Sequence, residues 1–412
     1  MQKHWIWLTQ RKGIGPVGCK KLLEAFQSAE RIFDLTPAQL KVSGQHGVKR
    51  DWIDVLSDKD LTNAEKVVED CDRHGIQIIT YNDQYYPERL KQIYDPPCVL
   101  YCKGTMPKID LEAAVGIVGT RRCTNFGLMQ TKSMSELISR SGGLVVSGGA
   151  RGIDTMALSS ALSSYMPVVC VLAGGLDEYY PRENKLLFEN IIRQGCLISE
   201  FPPGVSPLPQ YFAGRNRLIS GLSVAVLVVE APKGSGALIT AELALSQNRD
   251  VFTIQRADTG RYNSGNEELI QAGCEVVEDG WELLERYEPL FPQRLRDGRG
   301  REAMQLQCLK HMGKPVVVRS PRMETAILSE EHSERAPAIA KSNRTTQSPK
   351  AIADDLPGTE AQVLAVFGND PLEMDEIIMR SGMEPNAVTT ALTMLQIKKR
   401  IIKCFGNSYQ RL

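Results

Sequence analysis

The apolar positions of this chain change their period twice along its length. In residues 1–72 they recur at helical spacing. In "GIGPVGCKKLLEAF", Leu22, Leu23 and Phe26 line one face, Pro16 suits a first helical turn, and Gly13 and Gly15 punctuate the run ahead of it. From 73 to 290, short apolar and mostly non-alternating runs alternate with helical stretches. Strands are expected at 76–80, 114–118, 144–147, 168–172, 196–199, 224–229, 251–254 and 274–277. Those from 114 onward have the pattern of strands covered on both faces. A typical helix between them runs over 185–193, with Leu187 and Ile191 at i, i+4 and Gly195 closing it. Repeated β-α units predict an α/β fold with a doubly wound, mainly parallel sheet. Periodicity is lost over 291–353, the mark of a flexible linker. It returns over 354–412, where "TEAQVLAVF", "EMDEIIMRSG" and "NAVTTALTMLQIKKR" predict three helices and "RIIKCFGNSYQRL" a hairpin, the plan of a winged helix.

Composition narrows this little. Of the 412 residues, 42% are hydrophobic and 24% charged, as in ordinary globular protein. The longest apolar runs, "MPVVCVLAGG" and "SVAVLVVEA", fall short of a membrane span, and "MQKHWIWLTQRKG" lacks a signal core, so a soluble cytoplasmic protein without membrane partners is expected. The 10 cysteines follow no framework spacing; Cys98 and Cys102 have no histidine or second pair beside them, which argues against zinc and for reduced core thiols. The formal net charge is +0, so any nucleic-acid binding has to come from a local concentration of basic residues.

Such a concentration falls where a doubly wound sheet binds ligands, outside the carboxyl ends of its strands. The loops there read "GTRRCTNFG", "SGGARGID", "AGGLDEYYPREN", "SEFPPG" and "EAPKGSGALITAE", and "FAGRNRLISGLS" leads into the last of these strands. Glycines let an anion approach backbone N–H groups, helix N-termini favour negative charge, and arginines present forked donors. A dinucleotide cofactor fits badly. Gly116 and Gly119 give only G-x-x-G, and Ser147-Gly148 stands where a ribose-binding acid belongs, so no cofactor is expected. Catalysis has little to build on: no histidine lies between His74 and His311, and neither G-x-S-x-G nor a P-loop is present. The candidate carboxylates are Asp154, Asp177, Glu200, Glu230 and Glu242. The segment "GSGALITAE", ending in Glu242, is similar to the glycine-threonine-glutamate motif of lysine-decarboxylase-like phosphoribohydrolases, although Leu238-Ile239 interrupts it. A nucleotide-processing enzyme is therefore the alternative reading, and a duplex-binding regulator, resting on the winged helix alone, is a third.

In order and spacing these loops resemble the bacterial DNA-processing protein A family, DprA or Smf. "GTRRCTNFG", "VSGGARGIDTMA", "VLAGGLDEYYPREN", "LISEFPPG", "FAGRNRLISGLS" and "NSGNEELIQAG" carry the resemblance. It implies a Rossmann-like core that binds single-stranded DNA without catalysis, forms homodimers, and loads the recombinase RecA during transformation. It also implies an N-terminal helical domain, here SAM-like or helix-hairpin-helix-like around Gly13 and Gly15, and a C-terminal winged helix. By motif, Gly119, Thr120 and Arg121 would hold phosphate, and Ser147, Gly148, Gly149 and Arg151 would form a second wall. Arg182, the Arg215-Asn216-Arg217 triplet, Lys233 and Ser235 would complete the binding set. Arg122 is added by adjacency to Arg121, and Phe126, Tyr180 and Phe212 are candidates for stacking on bases. The chain departs from the family pattern at Thr155-Met156-Ala157-Leu158 after "ARGID", at Gln255-Arg256, and at the basic Leu395-Gln396-Ile397-Lys398-Lys399 of the winged helix.

Overall fold

A computed structural model describes residues 2–299 and 358–411, except 43, 45–47, 256–261, 369–371, 384–386, 389, 390, 393, 394, 396–399 and 404–407. The part of the expected linker beyond 299, Arg256 and the basic stretch 396–399 thus lie outside the described residues. By its contacts the chain divides into two compact units, Met1–Val318 and Arg319–Leu412.

In the first unit the described residues form one sheet of nine strands: β1 (Gln77–Thr80), β2 (Val99–Gly104), β3 (Ala114–Val118), β4 (Leu144–Ser147), β5 (Val168–Val171), β6 (Cys196–Ser199), β7 (Ala225–Val228), β8 (Asp250–Thr253) and β9 (Glu275–Val276). Their spatial order is β1-β2-β6-β5-β4-β3-β7-β8-β9. From β6 to β9 every pairing is parallel. The order reverses between β3 and β7, which makes their carboxyl ends the topological switch point. Both faces are covered, as the non-alternating apolar runs predict: Val115 and Ile117 enter one core, Ala114 and Val118 the other. Helices Asn125–Arg140 and Ile153–Ser163 pack together on one face, and Pro209–Leu222 and Gly236–Ser246 on the other.

All eight expected strands are present with ends shifted by at most one residue. The additional strand is β2, antiparallel to both β1 and β6. An antiparallel strand needs no crossover helix, so β2 stands outside the alternation that marked the others. No break in packing falls near residue 72. Helix Gln2–Thr9 lies against β1 and β2, and Trp5, Trp7, Leu22 and Leu56 belong to the same continuous core as Val115 and Phe188. The Gly13–Gly15 turn has both glycines at positive φ (+81° and +50°), and Lys20 donates from Nζ to the Ile93 carbonyl at 3.3 Å.

In the second unit, helices Gly358–Ala365 and Met374–Ser381 accompany a sheet ordered β10-β12-β11, made of β10 (Leu372–Glu373), β11 (Ile401–Lys403) and β12 (Ser408–Arg411). Val363, Phe367, Ile377, Leu392, Leu395 and Tyr409 form its core. Two of the three expected helices are present, and β11 and β12 of the expected terminal hairpin pair antiparallel; most of the third expected helix, over "NAVTTALTMLQIKKR", lies outside the described residues.

Candidate nucleic-acid interface

The loop after β3 is closed by backbone. Thr120 N donates to Glu230 O at 2.7 Å, and Ile153 N donates to Thr120 O at 3.3 Å. A side chain at Gly119 would meet Ile153 Cγ1 at 2.5 Å and Glu230 O at 2.9 Å, so only glycine fits. Thr120 is buried and its hydroxyl accepts from Arg122 N at 3.2 Å, which turns Arg121 and Arg122 out to solvent. Arg121 lies over the Phe212 ring, 5.0 Å from its centroid.

The loop after β4 is set by buried groups. Ser147 is spent on the fold: its hydroxyl donates to Ile117 O at 2.7 Å across the neighbouring strand. Gly148 leaves the space that the Arg215 guanidinium fills, and Gly149 holds a positive φ of +65°. Arg151 is exposed and paired with Glu183. Asp154 is buried and its Oδ2 accepts from Ala150 N at 3.3 Å. Burial pushes this carboxyl up to about 6, although the nearby Arg215 and the Ala150 amide pull the other way.

The loop after β5 supplies the third wall. Asn184 ties it to its neighbour, donating to Gly149 O at 3.0 Å and to Thr155 Oγ1 at 2.8 Å, so Thr155, one of the departures from the family pattern, has a bonding role. Tyr180 is exposed and meets Phe212 edge-on at 5.8 Å. Arg121, Gly148, Arg151, Gly174, Tyr180 and Phe212 together line one open concavity at the carboxyl ends of β3, β4 and β5. Arg182 is exposed beside it, at the start of the short turn Arg182–Asn184.

Other expected site residues have different positions. Arg215 and Arg217 are only 4% and 6% exposed, so neither presents a fork to solvent. Arg217 bridges Asp95 (2.8 Å) and Glu200 (2.7 and 3.0 Å). Asn216 reaches from its own helix to Gly236 O at 3.3 Å. Lys233 and Ser235 lie after β7 and do not line the concavity. Lys233 pairs with Glu268 at 2.8 Å, and the Ser235 hydroxyl accepts from Ala237 N at 3.3 Å as an N-cap. Phe126 is half-buried and packs against the core.

Glu230 has a function that its place in the sequence does not announce. It is 1% exposed, and its Oε2 accepts from Thr124 N at 2.9 Å. A side chain at Gly127 would run into the same carboxylate. At the N-terminus of helix Asn125–Arg140, where a dinucleotide fold receives pyrophosphate, the Thr124 amide and the space beside Gly127 are therefore taken by a side chain of the protein itself. Glu242 is exposed on helix Gly236–Ser246. Among the described residues there is no cluster of His, Cys, Asp and Glu able to hold a metal ion, and no helix long and apolar enough to cross a membrane.

The fold and site define a Rossmann-like α/β protein whose sheet rim gathers exposed arginines and aromatic rings. The family model of DNA recombination-mediator protein A matches residues 77–288, and that of the DprA winged helix domain matches 347–407. The chain belongs to the DprA/Smf family. It is 33% identical to protein Smf of Synechocystis sp. over 416 residues, covering 100% of this chain and 98% of that one. With DNA processing protein DprA of Bacillus subtilis it shares 40% identity over 220 residues, 53% of this chain and 73% of that protein. The X-ray structure of DNA processing protein A from Streptococcus pneumoniae superposes with a TM-score of 0.60 at 30% identity, over 69% of this chain and 98% of that one.

Proposed function

We propose that this chain is a non-catalytic, cytoplasmic single-stranded-DNA-binding protein that acts as a homodimer and passes strands to RecA. The observation that carries the DNA-binding part is the convergence of Arg121, Arg151, Tyr180 and Phe212 on one open concavity. Two guanidinium groups supply forked donors for phosphate, and the exposed Tyr180 ring, in T-shaped contact with Phe212, supplies an aromatic surface for unpaired bases. Arg182 extends the donors along the rim. Membership of the DprA/Smf family supports the dimer and the delivery to RecA.

The test is equilibrium binding of a labelled oligodeoxythymidylate and of a duplex of equal length, at two salt concentrations, to the wild type and to Arg121→Ala/Arg182→Ala. Single strands are expected to win, and the double variant should lose about 1.4 from the slope of log K against log salt, roughly 0.7 per phosphate contact. That corresponds to roughly 14-fold in affinity at 0.15 M salt and roughly 65-fold at 0.05 M. Wild-type affinity in the variant would remove the rim from the reading, and release of free base from a nucleoside monophosphate would overturn its non-catalytic part.

A further inference from the structure

β4 and β5 pair in parallel only as far as Ser147 opposite Cys170. One residue further, the carbonyls of Gly148 and Val171 are bridged by a side chain: Arg215 Nη1 donates to Gly148 O at 2.6 Å and also to Val171 O. Its Nε donates to Asn216 Oδ1 at 3.2 Å, and Asp154, beneath the same loop, supplies the counter-charge. The guanidinium occupies the space left by the missing side chain of Gly148. It also lies 5.9 Å from the centroid of Phe212, the ring that Arg121 covers at 5.0 Å. Gly148, Leu172 and Phe212 line the concavity, but Arg215 does not.

We infer that Arg215 is a positioning residue for nucleic-acid binding: it forms the floor under the rim, and DNA does not touch it. By prolonging the β4–β5 ladder through a side chain, it sets the gap between segments 148–151 and 172–175 just where the strands part. Through Phe212 it sets the platform against which Arg121 lies. An ammonium or a neutral side chain cannot reproduce a planar fork bonded to Gly148, Val171 and Asn216 together. The inference rests on the rim being the DNA-binding surface and assigns the triplet "RNR" a different task from phosphate contact.

The experiment begins with the wild-type chain, so it does not depend on a variant that folds. Phenylglyoxal labelling read by mass spectrometry, with and without oligodeoxythymidylate, should modify Arg121 in the free protein and show it protected by DNA, and should leave Arg215 unmodified in both states. Hydrogen exchange on free Arg215→Met should then show the amides of 148–151 and 172–175 exchanging roughly ten-fold faster or more, the equivalent of one charge-assisted hydrogen bond. Its affinity for the oligonucleotide should fall by a similar factor. Modification of Arg215 that DNA suppresses would overturn the inference, as would weakened binding with unchanged exchange. Arg121→Ala separates the two levels. If it binds like wild type, the rim reading itself fails; if it loses affinity while Arg215→Met exchanges normally, the rim stands and the positioning role falls.

Discussion

Replacing Arg217 by Met tests whether the second arginine of "RNR" is a strut of the fold or a ligand of DNA. In the native chain its guanidinium bonds Glu200 through two nitrogens (2.7 and 3.0 Å), Asp95 through Nε (2.8 Å), and the Gly214 carbonyl at 3.1 Å. It thereby joins the loop before β2, the loop after β6 and helix Pro209–Leu222. Breaking a buried pair by removing one partner costs about 3–5 kcal/mol. Here the Glu200 side chain is 15% exposed and that of Asp95 35%, so Asp95 recovers hydration and most of the penalty falls on Glu200. The lower end, about 3 kcal/mol, is therefore expected. All four tryptophans (Trp5, Trp7, Trp52 and Trp281) lie in the α/β unit, so their fluorescence during urea unfolding reports that unit alone. With m near 3 kcal/mol/M the midpoint should drop by about 1 M. Arg217→Met/Glu200→Leu should recover more than half of the loss, because the stranded carboxylate has gone too. A loss below about 1 kcal/mol accompanied by a large fall in single-strand affinity would refute the strut and return Arg217 to the interface.

Two further outcomes follow from the same loops. Asp154 holds its proton up to about 6 in the fold against an ordinary 3.8, so between these values the native state binds more protons than the unfolded one and stability must fall as pH rises, by at most roughly 3 kcal/mol. Above that window the contribution is constant; Asp154→Asn should flatten it, and parallel urea midpoints in the two proteins from pH 4 to 7 would contradict the assignment. Gly148→Ala puts a methyl group on the Arg215 guanidinium. It should cost about 1–3 kcal/mol in urea unfolding and weaken oligonucleotide binding, and a neutral substitution would mean that the β4 loop is not packed against that arginine.

The parallel strands were legible because burial on both faces demands uninterrupted apolar runs, and those of β3, β4 and β6 contain nothing else apart from Gly116 and terminal serines. The rim was legible because glycine-bearing loops follow such strands. What was not legible was the burial of two of its arginines, Arg215 and Arg217. A motif identifies a guanidinium but does not say which way it points. Yet one signal was present: Arg215, Leu218, Ile219 and Leu222 stand at i, i+3, i+4 and i+7 of one helix, and all four are buried. Arg215 shares the stripe that faces the sheet. Arg217 gave no comparable sign, because its partners Asp95 and Glu200 come from two distant loops that only the tertiary fold brings together. The integration of the N-terminal helices with the sheet was hidden for the same reason: helical periodicity reports that a face is buried and not what covers it.

Glu230 fills the turn of a loop that has the outline of a cofactor cradle. The sequence around "GIVGTRR" provides strand, turn and helix, and the helix dipole there would favour an anion. The buried Glu230 carboxyl already occupies the turn, accepting from Thr124 N at 2.9 Å against the bare backbone of Gly127. A phosphate seated on that turn would meet an occupied donor and a space already filled. On the function proposed above, anion recognition lies further out along the rim, at exposed side chains such as Arg121, Arg151 and Arg182 on successive loops. Donors that are spread over the surface neutralise several phosphates of a long polyanion in parallel, each releasing counterions, and do not enclose a single pyrophosphate. Such donors would meet backbone charge and not base edges, so the proposed function predicts strong salt dependence and little sequence preference.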